Sequence, residues 1–150
     1  MQYEGSIVFD APKESLFELL TDGESLAPCI PGMKTFEVLE PRESFRVVAQ
    51  AKFGTLEPEM DLRVTFTLLE PPNCARLRIR GRGASSHIGA SSYIYLDDAP
   101  NGGTEMQWSF TFSVFGQLAG IGHRLMQQAF DRMHQEFIDG VQSLVRERLL

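Results

Sequence analysis

The sequence of 150 residues predicts an α+β fold in which a curved antiparallel β-sheet wraps around a long C-terminal α-helix. Apolar residues alternate with period two from about residue 34 to residue 115, which is typical of strands with one buried face. The period changes to three or four over residues 117–148, and two short helical segments follow the first strand. Only the last helix is large enough to cover an apolar sheet. We expect one domain, 1–150.

The N-terminal elements follow from local patterns. Residues 3–9 alternate and predict a half-buried strand, with one face formed by Tyr3, Gly5, Ile7 and Phe9. A helix is expected to start around Pro12 and to bury Leu16, Phe17, Leu19 and Leu20. A shorter helical piece is expected over residues 23–27, closed by Pro28.

The sheet and the last helix show two less regular features. Serines and Gly89 interrupt residues 84–96, so we expect an edge strand or a bulged strand there. A helix over residues 117–148 is about 48 Å long and begins with small residues, which include Gly116, Ala119, Gly120 and Gly122. These small residues let the helix approach the sheet closely or leave a void beneath it.

Composition limits the function. The formal net charge is −6, and its acidic excess lies in the first half of the chain, which argues against a nucleic-acid partner. The sequence shows no transmembrane run and no export signal, so we expect a cytoplasmic protein, with a place at the inner face of the membrane left open. Cys29 and Cys74 are expected to be free thiols. The sequence allows a homo-oligomer.

No catalytic motif stands out, and we expect no metal, no cofactor and no catalytic residue. The segment 81–86 begins like a dinucleotide fingerprint, but Ser86 replaces its third glycine and no helix pattern follows. His87 lies among serines without an acidic partner nearby in sequence. His123 and His134 lie about 16 Å apart on one helix, which is too far for a shared metal.

A row of arginines marks one predicted strand, formed by Arg76, Arg78, Arg80 and Arg82. It suggests either an anion-binding or partner-binding stripe, or a solvated outer face balanced by acids such as Glu59 and Asp61 on a neighbouring strand. The pattern favours the solvated face.

The apolar interior carries the remaining functional signal. Large inward side chains face the small-residue start of the last helix, and the pattern alone favours plain core packing over a ligand cavity. If a cavity exists, the predicted ligand-binding residues are Phe45, Val47, Met60, Leu62, Trp108, Phe110, Gly122, Met126, Phe130 and Met133.

Two motifs resemble a known family. The segment 26–34, LAPCIPGMK, resembles the cysteine-isoleucine-proline-glycine signature of the CoxG-like (carbon monoxide dehydrogenase subunit) family, which belongs to the START-related SRPBCC superfamily. The segments 102–108 and 116–125 are similar to that family's last strand and its glycine-rich approach to the last helix. The resemblance covers nearly the whole chain and implies a helix-grip, START-like fold.

The resemblance implies a hydrophobic pocket between the sheet and the long helix. It further implies a non-enzymatic accessory role: binding a quinone- or lipid-like molecule and helping a molybdenum hydroxylase of carbon monoxide dehydrogenase type to assemble or to reach the membrane. Many members carry a membrane-anchoring tail after the last helix, whereas this sequence ends at Leu150, so peripheral membrane contact is left open. The usually glycine-rich segment before the penultimate strand is here residues 84–89, a change expected to alter the pocket mouth.

Two alternatives stay open. Related helix-grip domains include cyclases and dehydratases, and such an enzyme needs an acid–base pair in the cavity, for which His87 or Tyr93 is available if residues 84–96 turn inward. The other alternative is a pure protein-interaction module that uses the acidic first half or the arginine row.

Overall fold

The computed structural model describes residues 1–150 and has the predicted α+β architecture. Its strands are β1 (Gln2–Phe9), β2 (Met33–Glu40), β3 (Ser44–Gln50), β4 (Glu59–Glu70), β5 (Cys74–Gly83), β6 (Ser86–Asp98) and β7 (Thr104–Gly116). Its helices are α1 (Lys13–Leu20), α2 (Gly23–Leu26) and α3 (His123–Leu149). Short 3₁₀ turns follow α2 (Ala27–Cys29), precede β7 (Pro100–Gly102) and precede α3 (Gln117–Ile121).

The seven strands form one antiparallel sheet in the order β1-β7-β6-β5-β4-β3-β2. Strands β2 to β7 run as a meander because each pairs with the next, and β1 pairs with β7. The period-two pattern places alternate side chains on the side of the sheet that faces α3, as in β3, where Phe45, Val47 and Ala49 are buried. The curved sheet and the C-terminal helix confirm the predicted helix-grip fold.

The expectation that residues 84–96 form an edge or bulged strand is wrong. Strand β6 lies in the interior of the sheet and pairs with both β5 and β7 without a register shift. The edges are β1 and β2, and the register shifts occur in the β2–β3 and β4–β5 pairs. The small residues of β6 have another cause, because Ala90 and Ser92 line an internal cavity.

The last helix begins later than the pattern predicts. Residues 117–121 form a 3₁₀ turn, and α3 starts at His123 and is about 40 Å long. Gly116 and Gly122 flank the turn with φ of 96° and 102°, a region that side chains other than glycine rarely adopt. The small residues therefore form the connection before the helix and not its first turns. No helix combines the length and the apolar character required to cross a bilayer.

The core consists of two hydrophobic clusters at different ends of α3. The larger cluster joins α1, the sheet and the C-terminal half of α3, where Val141 and Val145 are buried. The smaller cluster contains Met126, Ala129 and Phe130 from the N-terminal half of α3, together with Phe53, Met60 and Leu118. Helix α3 thus connects two separate packed regions, and its middle turns face the space between them.

Candidate functional site: a cavity between the sheet and the long helix

A cavity of about 250 Å³ lies between the inner face of the sheet and α3. It is larger than the roughly 150 Å³ engineered apolar cavity that binds benzene. Of the 32 residues that line it, 28 are hydrophobic, and the others are Gly23, Pro31, Ser92 and His134. The wall therefore contains no charged carboxylate, ammonium or guanidinium group.

Eight of the ten predicted ligand-binding residues line this cavity. They are Phe45, Val47, Met60, Leu62, Trp108, Phe110, Phe130 and Met133. Strands β3, β4 and β7 contribute the first six, and α3 contributes the last two. The structure brings these side chains together around one space, and their contact with a ligand stays a prediction.

Gly122 and Met126 do not line the cavity. Met126 is buried in the smaller hydrophobic cluster, so it packs against neighbouring side chains. Gly122 precedes α3, and a Cβ added there meets nothing within 4 Å. Its positive φ explains the glycine, so the position serves the backbone and not a ligand.

Space in the cavity depends instead on glycines that receive large side chains of neighbouring elements. Gly5 of β1 lies opposite Trp108 of β7, and a Cβ on Gly5 would overlap the indole ring. A Cβ on Gly23 would lie 2.7 Å from the Phe45 ring. These glycines let bulky rings lie against the backbone, and the sequence pattern gave no indication of this arrangement.

One polar cluster lies where β1, β7 and α3 meet. The indole Nε1 of Trp108 donates a hydrogen bond of 3.1 Å to Nε2 of His134. The Tyr3 ring stacks on the His134 imidazole with 4.6 Å between ring centroids and 17° between planes. The Tyr3 hydroxyl donates to Oδ1 of Asp131 at 2.6 Å. Both rings of the Trp108–His134 pair contribute to the cavity wall.

The cluster holds His134 in its neutral form. Burial lowers the pKa of His134, and the charge of Asp131 opposes this effect only in part. Because Nε2 accepts a hydrogen bond, the proton of the neutral imidazole resides on Nδ1. The pKa of Tyr3 is raised, first by burial and then by its bond to Asp131, so Tyr3 is also neutral. No charged group is thereby added to the wall.

Sequence reasoning considered His134 only as a metal ligand and missed its place in the wall. The available signal was its position in the apolar stripe of the last helix, one residue after Met133 and three before Phe137. His87 and Tyr93 do not enter the cavity: His87 is exposed, and Arg76 lies over the Tyr93 ring at 5.5 Å. No group of three or more His, Cys, Asp or Glu side chains is arranged to hold a metal ion.

The loop of residues 26–34 encloses part of the cavity. Ile30 and Pro31 belong to the wall, and Cys29 packs against α3 at Gly140, where an added Cβ would lie 3.2 Å from the Cys29 Cβ. Gly32 turns the chain with φ of 72°, and its carbonyl accepts a hydrogen bond of 2.9 Å from the Gln50 amide. Burial raises the pKa of the Cys29 thiol, and Glu147 adds to this effect. The signature segment is thus a packing and lining element.

Comparison with known proteins agrees with this architecture. The sequence profile of the CoxG family, described as a subunit of carbon monoxide dehydrogenase, matches residues 5–146. No curated protein matches the sequence. A conserved protein from Geobacillus kaustophilus has a similar structure, with a TM-score of 0.86, 21% sequence identity, and coverage of 100% of this chain and 98% of that chain.

Two further solved structures show the same fold. A START superfamily protein from Mycobacterium smegmatis gives a TM-score of 0.71 at 9% identity, covering 97% of each chain. The Zhui aromatase/cyclase from Streptomyces sp. R1128 gives a TM-score of 0.70 at 15% identity, covering 99% of this chain and 94% of that chain. At such identities the likeness concerns the fold alone.

Proposed function

The chain belongs to the CoxG family of carbon monoxide dehydrogenase subunits and has a START-like fold, and from this premise we propose that it binds a neutral hydrophobic molecule without transforming it. The ligand is quinone- or lipid-like and occupies the cavity between the sheet and α3. The observation that carries the proposal is the wall itself, in which 28 of 32 residues are hydrophobic and none is charged.

The chemistry of the wall selects an uncharged ligand. Moving an ionised carboxylate from water into such a cavity is strongly unfavourable unless a cation pairs with it, and the wall supplies no Lys or Arg. One hydroxyl, that of Ser92, and one imidazole, that of His134, are available for a polar atom of the ligand. A mostly apolar molecule with a carbonyl or hydroxyl oxygen fits this wall better than a fatty acid does.

Binding can be measured through the fluorescence of Trp108, since it is the only tryptophan and lies in the wall. Decylubiquinone serves as the neutral probe, and lauric acid serves as the probe with an alkyl chain and a carboxylate. We expect saturable quenching by decylubiquinone with one site per chain, and at least tenfold weaker binding of lauric acid. Equal affinity for the two probes contradicts the proposed selectivity.

Strand β6 provides a matched pair of variants. Ser92 is buried and lines the cavity, whereas Ser91 is exposed on the other side of the sheet. Ser92→Phe fills the cavity and should abolish decylubiquinone binding, while Ser91→Phe should leave it unchanged. Mass spectrometry of the purified native protein, compared with its organic extract, identifies the natural ligand. Unchanged binding in folded Ser92→Phe would place the site elsewhere.

The family membership supports a partner as well as a ligand. We propose that the chain acts as an accessory, assembly or recruitment factor for a molybdenum hydroxylase of carbon monoxide dehydrogenase type. The test is titration of such a purified hydroxylase with the chain by calorimetry. A defined stoichiometry is the expected result, and the absence of heat and of a co-eluting complex contradicts the proposal.

An enzyme of cyclase type is the second candidate, favoured by the imidazole in the wall. His134 keeps Nδ1 for proton transfer, but its Nε2 is engaged by Trp108, and no carboxylate lines the cavity to act with it. Turnover of a polyketide-type substrate that disappears in His134→Ala would establish this candidate. Binding of decylubiquinone without any turnover supports the carrier.

A further inference from the structure

The outer face of the sheet carries a group of arginines that we call the arginine face: Arg63 of β4 with Arg76, Arg78, Arg80 and Arg82 of β5. All five are exposed. None of them forms an ion pair within the chain: Asp61 receives two hydrogen bonds, of 3.0 and 2.8 Å, from Arg46 of β3, and Glu59 pairs with Lys34 at 3.2 Å. The acids expected to balance the row are therefore engaged by other cations.

The register places like charges directly opposite each other. Arg80 faces Arg63 across the β4–β5 pair, and Arg63 faces Arg46 across the β3–β4 pair. Like charges in opposed positions of an antiparallel pair are destabilising. A solvated face with no other role would not require this arrangement in a chain whose formal net charge is −6.

The neighbours of the arginines leave them accessible. Arg78 lies between Thr65 and Ser91, and Arg80 has Gly89 on its β6 side. At one end Arg82 lies beside His87, which in turn lies beside Phe115, a side chain that is 63% exposed. The guanidinium groups thus stand over small residues, with an exposed aromatic ring at the border.

We propose that the arginine face is a docking surface for an acidic polypeptide segment on a partner protein. Arginine binds carboxylates through two parallel hydrogen bonds, and arginine together with aromatic residues is enriched at protein–protein interfaces, where lysine is depleted. The face contains no lysine. A partner that touches only this face avoids the acidic remainder of the chain, since the charges there are screened beyond about 8 Å. An extended bilayer or nucleic acid does not avoid it. The inference concerns a surface separate from the cavity and does not depend on the ligand.

The test is binding of fluorescent poly-L-glutamate at 150 mM salt to the wild-type chain and to two variants that change the net charge equally. Arg78→Glu/Arg80→Glu alters the arginine face, and Arg146→Glu/Arg148→Glu alters exposed positions near the end of α3. We expect at least tenfold weaker binding in the first variant and less than twofold in the second. Equal loss in both variants overturns the proposal, because net charge alone then explains the binding.

Two further measurements complete the test. If vesicles containing 30% phosphatidylserine bind through the arginine face and poly-L-glutamate does not, the proposal is overturned in favour of a membrane surface. Arg80→Gln removes the opposed charge and should raise the unfolding midpoint by about 1–3 °C. A lowered midpoint overturns the premise that the row is unfavourable for folding. Decylubiquinone binding serves as the control that the cavity remains intact.

Discussion

Trp108 and His134 join the sheet to the long helix through a hydrogen bond of 3.1 Å from the indole Nε1 to the imidazole Nε2. Trp108 comes from β7 and His134 from α3, so the bond spans the cavity wall at the meeting point of the two layers. The bond requires the neutral imidazole, because a protonated histidine carries hydrogens on both nitrogens and cannot accept.

Stability should therefore depend on pH through His134. Its folded pKa is lowered, by burial first, while the unfolded value is about 6.5. This contribution is complete above about pH 6.5 and is lost as pH falls, because the unfolded state then binds a proton that the folded state resists. Urea unfolding between pH 5 and pH 7.5 should show this slope. His134→Gln should flatten it and His87→Gln, at an exposed position, should not; equal slopes in all three proteins would rule out His134 as the cause.

Gly5 should control the position of the indole. A valine at this position overlaps the Trp108 ring and drives it away from β1, which costs about 1–3 kcal/mol of unfolding free energy. The emission of Trp108 should shift, and decylubiquinone affinity should fall at least tenfold. Ser6→Val, at the next and exposed position, is the control. A Gly5→Val protein with wild-type emission contradicts the packing described.

Gly140 should control the seating of the residue 26–34 loop. Gly140→Val brings new methyl groups against Cys29 and should destabilise the protein by about 1–3 kcal/mol. The displaced loop should also expose the Cys29 thiol, so its labelling by a thiol reagent, located by mass spectrometry, should accelerate. Ser143→Val, at an exposed site on the same helix, should change neither quantity. Slow labelling in Gly140→Val counts against this contact.

Gly122 should matter for stability and not for ligand affinity. Its φ of 102° makes Gly122→Leu unfavourable by about 1–3 kcal/mol, although no atom lies within 4 Å of the added Cβ. Gly120→Leu is the matched control because Gly120 also has open space but no positive φ. Urea unfolding and decylubiquinone titration check both effects. Reduced affinity in folded Gly122→Leu would return this residue to the binding site.

The order of elements and the buried faces of the strands could be predicted because they depend on local periodicity. Phe45 and Val47 of β3 alternate with exposed or half-buried neighbours, and this pattern alone indicates which side faces the core. The same reasoning failed for residues 84–96, since small side chains in a strand indicate either an edge or an internal space, and only the pairing of β6 on both sides distinguishes the two.

The site was predictable only where a residue lines the cavity by virtue of its strand or helix face. Met133 and Phe130 follow from the stripe on α3, but the stripe does not separate Met126, which packs into a cluster, from residues that border open space. The pairs Gly5–Trp108 and Gly23–Phe45 depend on the register and on contacts between distant segments. No local pattern in the sequence contains that information.

The division of the core into two clusters means that an occupant of the cavity would become part of the folding unit. Without it, the middle turns of α3, from Met133 to Ile138, have fewer side chains packed against them than the turns at either end. A bound molecule would bridge the two clusters and stabilise the native state by mass action. Amide hydrogen exchange in those turns should therefore slow most on loading, which makes the helix itself a reporter of occupancy.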